Sequence, residues 1–318
     1  MSDNNYGLID GSEMALKNFL GGLSKIDAVG LDSRVAVLGT RSIKNESKEY
    51  AIDLALTMID LTTLEGMDTP GKVKSLCNKA NVPDFQNPSG PHVAAICVYG
   101  DMVKTARTHL NSIGGEKINV AAVATGFPSG RVSLRVKLLD TLDALEAGAN
   151  EIDMVIDRGA FLSGNYGKVF EEIVKIKELC EPFGAHLKVI LETGELGTYD
   201  NMNKASYLAM VAGADFIKTS TGKVSPAATP SSVAVLLRAV KNFHDLTGYR
   251  IGVKPAGGIR TTKDALKQLV LVKELAGEEW LTPEYFRIGA SALLNDLLMQ
   301  KAKIRDGYYP SPNYFSID

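Results

Sequence analysis

Asp215-Phe216-Ile217-Lys218-Thr219-Ser220-Thr221-Gly222-Lys223 begins apolar and turns polar within a few residues. It reads as a short buried strand whose last residues leave the core as a loop. A lysine at that exit is costly to bury, because its ammonium gives up water. Burial beside another cation lowers a lysine pKa and frees the amine as a nucleophile, so Lys218 is a candidate for covalent chemistry. The alternative is a side chain that reaches solvent from a strand end. The same plan recurs upstream: Ala147-Gly148-Ala149-Asn150-Glu151-Ile152-Asp153 aligns without gaps on Ala212-Gly213-Ala214-Asp215-Phe216-Ile217-Lys218. In both, a glycine closes a helix and a strand follows at once.

Outward from this pair the unit repeats along the chain. Apolar runs with polar ends lie at Leu54–Asp60, Val93–Tyr99, Ile118–Thr125, Glu151–Asp157, His186–Glu192, Phe216–Gly222, Gly252–Gly258 and Tyr285–Ser291. Between them lie stretches with helical spacing, such as Leu134–Glu146, Val169–Cys180 and Ser232–Phe243. Thr69-Pro70, Thr229-Pro230 and Thr282-Pro283 each mark a helix start, since threonine caps the first amides and proline suits the first helical position. Thr261 and Asp264 have the spacing of a capping box. Eight such units in series predict an α/β fold, a (β/α)8 TIM barrel over residues 49–318. A doubly wound sheet is the competing fold, but no glycine fingerprint follows the first strand. Residues 1–48 do not fit the repeat and read as an N-terminal extension that packs on the barrel or on a neighbouring subunit.

Composition narrows the function. The 318 residues are 45% hydrophobic and 23% charged, the profile of a soluble globular protein. A net charge of −2 gives no field that would draw the chain to nucleic acid or to a membrane surface. Cys77, Cys97 and Cys180 form no CxxC pair, and the four histidines lack ligand spacing. The expectation is a reducing compartment, no structural metal and no metal-dependent chemistry. Met1–Glu13 lacks the pattern of a signal peptide and no run is long enough to cross a bilayer, so the expected location is cytoplasmic.

Active sites of such barrels gather at the C-terminal ends of the strands. Strand 1 ends in Asp60 and Thr62, strand 4 carries Asp153, strand 5 Lys188 and Glu192, strand 6 Lys218 and strand 7 Lys254. The alignment above puts Asp153 and Lys218 at one depth on strands 4 and 6, facing each other across a sugar-sized gap. A structural ion pair is the competing reading. A free lysine of pKa about 10.4 is only about 0.04% neutral at pH 7. A second ammonium about 4 Å away, at an effective dielectric of about 20, opposes protonation by about 4 kcal/mol, enough to bring Lys218 near neutral pH. Lys254 on the adjacent strand is placed to supply it. Glycines fill the last three strand-end loops: Gly222-Lys223, Gly257-Gly258-Ile259-Arg260 and Gly289-Ala290-Ser291. Close backbone amides with Lys223 and Arg260 nearby suit a phosphate. Cys97 reads as a packed small residue.

Taken together, Ile59–Leu64, Ala94–Tyr99, Glu151–Ile156, Leu187–Leu196, the Lys218 segment, Val253–Arg260 and Ile288–Ser291 resemble the deoxyribose-phosphate aldolase family, over about residues 50 to 300. The resemblance implies a class I, metal-independent aldehyde-lyase that reversibly cleaves 2-deoxy-D-ribose 5-phosphate to D-glyceraldehyde 3-phosphate and acetaldehyde in deoxyribonucleotide catabolism. Lys218 would form the Schiff base, Asp153 would move protons, and Lys254 would assist and tune Lys218. Asp60 and Lys188 would complete the catalytic network. Thr62, Thr219, Thr221, Gly222, Lys223, Gly257, Gly258, Arg260, Gly289 and Ser291 would bind the substrate and its phosphate. No cofactor is implied, the partner is a small phosphorylated sugar, and a homodimer or higher homo-oligomer is expected. Ala292 departs from relatives with a second hydroxyl residue there. Tyr314 is the residue that could stand in for the C-terminal tyrosine of certain relatives. Another class I aldolase or transaldolase, a non-covalent phosphosugar isomerase, and a binding barrel without catalysis are the alternatives.

Overall fold

The structure is a computed structural model that describes residues 9–311 and 314–316; part of the Met1–Glu13 segment and Asn313 lie outside the described residues. Eight parallel strands form the inner wall: β1 (Ile59–Thr62), β2 (Ala95–Tyr99), β3 (Asn119–Ala124), β4 (Glu151–Val155), β5 (His186–Ile190), β6 (Phe216–Lys218), β7 (Gly252–Lys254) and β8 (Ile288–Ala290). Neighbours run in chain order from β1 to β7, and β8 pairs with β1. Bridges Val253↔Phe286 and Ala256↔Gly289 join β7 to β8 and close the ring. This is the (β/α)8 barrel expected from the eightfold repeat.

The outer ring consists of α4 (Pro70–Asn81), α5 (Val103–Ser112), α6 (Leu134–Glu146), α7 (Arg158–Leu162), α8 (Tyr166–Cys180), α9 (Tyr199–Val211), α10 (Pro230–Thr247), α11 (Thr262–Leu275) and α12 (Leu293–Asp306), preceded by α1 (Glu13–Gly22), α2 (Ala28–Gly39) and α3 (Asn45–Thr57). Thr69 and Thr229 cap α4 and α10 with proline at the first helical position, and Thr261 with Asp264 forms a reciprocal capping box on α11. Thr282-Pro283 differs. It opens only a turn, in which Tyr285 and Phe286 amides donate to Thr282 O. Phe286 is drawn into the core and Ile288 into β8 so soon afterwards that no helix can form.

The first apolar run also divides differently from the sequence reading. Leu54–Thr57 are helical and β1 begins at Ile59. Ala51, Ile52, Ala55 and Leu56 are the buried residues of α3, a helical spacing that abuts the strand without a break. The predicted 48/49 boundary therefore falls inside α3. The leading helices lie on the barrel's own outer ring: α1 against α8 and α9, α2 against α10 and α11, α3 against α11 and α12. Leu16, Leu20, Leu31 and Leu38 are buried there, each contributing about 2 kcal/mol of apolar burial. Glu13 accepts from the Gly167 amide at 2.6 Å and Asp200 from the Ile26 amide at 2.8 Å, which tie the helices in place.

Candidate active site

Strand pleat decides what enters the barrel, because every second side chain points inward. The interior divides by chemistry. Next to β2 and β3, Leu64, Cys97, Ala121 and Val123 form a small apolar cluster separate from the main core. The remaining strands send in charge: Asp60 from β1, Glu151 and Asp153 from β4, Lys188 from β5, Lys218 from β6, Lys254 from β7, and Arg287 from the residue before β8. None of the seven is more than 4% exposed. Phe216 lies under them, and Gly252 beside it must be glycine, since a Cβ there would sit 2.3 Å from the ring.

Asp153 is the hub. Its Oδ2 accepts from Lys218 Nζ at 2.8 Å and from Lys254 Nζ at 2.7 Å, and its Oδ1 accepts from Lys188 Nζ at 2.9 Å. Lys254 also ion-pairs with Asp60 Oδ2 at 2.6 Å. Asp153 and Lys218 therefore touch, with no sugar-sized gap between them: the lysine chain is long enough to span the space the strand alignment left open. Room for a substrate lies above, in a cavity of about 450 Å³ whose wall includes Lys218 but not Asp153, Lys254, Asp60 or Lys188.

Electrostatics separate the lysines. Burial opposes ionisation of Asp153, but Lys188, Lys218 and Lys254 outweigh it and hold the carboxyl well below its ordinary range. The Lys218 pKa is lowered, first by burial and then by Lys254, against the pull of Asp153. Burial, not Lys254, is thus the larger cause, a change of order from the sequence estimate. Burial acts on Lys254 too, but Asp153 and Asp60 raise its pKa well above normal; Asp153 and Glu151 raise that of Lys188. The lysine whose pKa is lowered therefore stands at the cavity wall, with the lysines of raised pKa behind it. Cys97 is buried with its Sγ 4.0 Å from Asp153 Oδ2, and burial pushes its thiol pKa up, consistent with a packed residue.

The rest of the cavity wall is loop. Thr62, Thr221, Gly222, Lys223, Gly257, Gly258, Arg260, Gly289 and Ser291 all line it, joined by Lys72 and Glu65. Thr219 does not: it is fully buried, and its hydroxyl accepts from the Ala256 amide at 3.1 Å, fixing the β7 exit. Gly222 and Gly257 have φ of +80° and +81°, a conformation that glycine adopts freely, and a Cβ on Gly257 would sit 2.7 Å from Ala227 Cβ and 3.2 Å from Gly222 Cα. Glu192, itself at φ +55°, accepts from the Thr221 hydroxyl at 2.5 Å, and the same hydroxyl accepts from the Lys223 amide at 3.1 Å. At the far wall α12 begins beside Ser291. Ala292 occupies its N-cap with no side-chain hydrogen bond, so the helix terminus faces the cavity without a side-chain cap, an arrangement that favours an anion. Tyr314 packs on Phe85, at a 5.3 Å centroid separation, and receives a hydrogen bond from Gln86; none of the three lines the cavity.

Two interior residues escaped the sequence reading. Glu151 accepts from Lys188 at 2.5 Å, and Arg287 binds Asp60 at 2.8 Å and Glu151 at 2.9 Å. A signal existed for Glu151, which shares the inward parity of Asp153 two residues on. Arg287, inside the run read as Tyr285–Ser291, shares the parity of Gly289.

Comparison with known proteins adds an independent line. Residues 54–299 match the family model described as DeoC/LacD family aldolase. The chain is 47% identical over 268 residues to a deoxyribose-phosphate aldolase of Mus musculus, covering 82% of this chain and 83% of that protein. The Homo sapiens protein of the same name matches to the same extent. A tetrameric deoxyribose phosphate aldolase from Aeropyrum pernix aligns with a TM-score of 0.63 at 26% identity, over 84% of this chain and 97% of that one.

Proposed function

The chain belongs to the DeoC/LacD family of aldolases, and on that premise we propose how its barrel makes and breaks a carbon–carbon bond. Its activity is that of a deoxyribose-phosphate aldolase: reversible cleavage of 2-deoxy-D-ribose 5-phosphate to D-glyceraldehyde 3-phosphate and acetaldehyde. The neutral Lys218 amine adds to the C1 carbonyl of the open-chain sugar, and loss of water from the carbinolamine leaves an iminium. A base removes the C3 hydroxyl proton, C2–C3 breaks, and its electron pair enters the iminium to give an enamine. D-Glyceraldehyde 3-phosphate departs, C2 takes a proton, and water releases acetaldehyde and the free amine. Asp153 accepts and returns the protons, since it touches Lys218. Lys254 and Lys188 remain charged and hold Asp153 ionised between transfers. The substrate phosphate sits against the loops of Gly222–Lys223 and Gly257–Arg260 and the start of α12.

One observation carries this reading: of the buried charged cluster, Lys218 alone borders the cavity among the described residues, and its pKa is the one among the lysines there that is lowered. Arg260 and Lys223 on the same wall favour a phosphorylated sugar. The reading extends to a catalytic barrel, to a homo-oligomer, for which the tetrameric Aeropyrum pernix relative is support, and to a cytoplasmic setting in sugar catabolism. No described helix is long and apolar enough to cross a membrane.

The test is reduction with borohydride in the presence of 2-deoxyribose 5-phosphate, then intact-mass measurement and peptide mapping. A single adduct on Lys218 is expected, with Lys218→Ala folded, unlabelled and inactive. An adduct on another lysine, or turnover by Lys218→Ala, would refute the mechanism.

A further inference from the structure

We propose that Arg287 and Glu151, which do not border the cavity, set the charge balance of the barrel interior so that Lys218 is the amine left without a proton. They are positioning residues for the nucleophile, and the proposal rests on Lys218 being the Schiff-base lysine.

The reasoning is a charge count in a closed space. The interior holds three carboxylates, Asp60, Glu151 and Asp153, and four basic groups, Lys188, Lys218, Lys254 and Arg287, each at most 4% exposed. If every group were ionised, one positive charge would stand without a counter-ion among side chains at most 4% exposed. The cluster therefore favours one base that gives up its proton. Arg287 cannot be that base, because guanidinium keeps its proton in proteins. Lys188 meets Asp60, Glu151 and Asp153 within 3.7 Å, and Lys254 meets Asp60 and Asp153 within 2.7 Å. Lys218 meets only Asp153, at 2.8 Å, and has the fewest partners to lose. The lowered Lys218 pKa and the raised values of Lys188 and Lys254 agree with this choice.

Arg287 makes the count come out this way. It binds Asp60 and Glu151 at 2.8 and 2.9 Å while its guanidinium lies over the Phe216 ring at 5.7 Å. Without it, three carboxylates would face three lysines and the balance would close with Lys218 protonated. The arginine is thus a permanent charge that displaces a titratable one. Glu151 works in the opposite sense, as one of the carboxylates that the cations must match. The other neighbours contribute no charge: β2 supplies the Cys97 thiol, kept neutral by burial, and β3 supplies Asn119, whose amide donates to Glu151 at 2.8 Å.

Opposite charge changes should move Lys218 in opposite directions, which a merely structural role would not do. The experiment measures the rate of cyanoborohydride trapping with acetaldehyde by intact mass, from pH 5.5 to 10, in wild type, R287M, R287K, E151Q and R287M/E151Q, each checked for folding by circular dichroism. R287M should move the midpoint up by about one unit or more and slow trapping at pH 7 about tenfold or more. E151Q should move it down, R287K should leave it in place, and the double variant should return toward wild type. Midpoints unmoved in folded variants, or moved the same way by R287M and E151Q, would overturn the proposal while leaving the Schiff base intact. If R287M does not fold, an E151Q midpoint that stays or rises has the same force. Absence of a Lys218 adduct in the wild type would overturn both.

Discussion

Replacing Lys254 with methionine tests the electrostatic half of the mechanism. Lys218 and Lys254 donate to the same Asp153 oxygen, at 2.8 and 2.7 Å, so their nitrogens stand at most 5.5 Å apart. At that distance two unit charges repel by about 3 kcal/mol for an effective dielectric of about 20, or about two pKa units. Lys254→Met should raise the Lys218 pKa by that amount and no further, because burial, the larger cause of its lowering, survives the substitution. The acid limb of kcat/KM should move up by about two pH units, with activity at pH 7 down about a hundredfold and much of it recovered near pH 9. The fold should persist: Asp60 keeps Arg287 at 2.8 Å, and Asp153 keeps Lys188 and Lys218. Some stability is lost, up to about 3–5 kcal/mol for breaking a buried pair, and a urea titration would measure it. The assay is kcat/KM against pH, read from release of D-glyceraldehyde 3-phosphate. A folded variant whose activity falls by one factor at every pH would refute the argument, and would make Lys254 a proton donor rather than a tuning charge.

Two further outcomes follow from the same geometry. Gly257→Ala puts a Cβ at φ +81°, 2.7 Å from Ala227 Cβ; strain of about 1–3 kcal/mol should displace the loop and raise KM for the phosphorylated sugar about tenfold, while kcat/KM for unphosphorylated 2-deoxyribose changes little, and equal loss on both would count against a phosphate role. Stability should fall on the acid side. Asp153 and Asp60 have folded pKa values below their unfolded ones, so their contribution is fully present above about pH 5 and is lost as pH falls from about 4 through the folded values, at about 1.4 kcal/mol per unit of depression; a urea midpoint at pH 3 equal to that at pH 7 would contradict this.

How far the sequence carried depended on where neighbouring elements left a seam. Gly148 and Gly213, at φ +105° and +99°, mark clean helix-to-strand junctions, and the strands after them were legible with Asp153 and Lys218 as inward residues, though not Glu151. Leu54–Asp60 has no such seam. The buried face of α3 runs directly into β1, and the period changes from helical to alternating inside one apolar run. Thr282-Pro283 carries the same local chemistry as Thr69-Pro70, yet the barrel reclaims the chain at Phe286, so tertiary packing overrides the cap. The cavity-wall residues were legible because glycine and charge are concentrated in the last three loops; Thr219 misled because a hydroxyl beside them can equally serve a backbone amide. Arg287 could not be found from local pattern, since its meaning lies in partners from β1 and β4 that only ring closure brings near.

The division of labour within the barrel explains how such a site is tolerated. Seven buried ionisable side chains are poor material for stability, because desolvation of each costs several kcal/mol before pairing offsets it. They occupy one side of the interior, and Leu64, Cys97, Ala121 and Val123 fill the other. The main apolar core lies elsewhere, between strands and helices and under α1 to α3. Packing there can hold the strands rigidly enough to force charges together that would separate in a looser frame. That rigidity is what a neutral amine at ordinary pH requires. A lysine free to swing toward solvent would regain an ordinary pKa, whereas one held at 3% side-chain exposure, between a shared carboxylate and a second lysine, keeps a lowered pKa and meets the cavity.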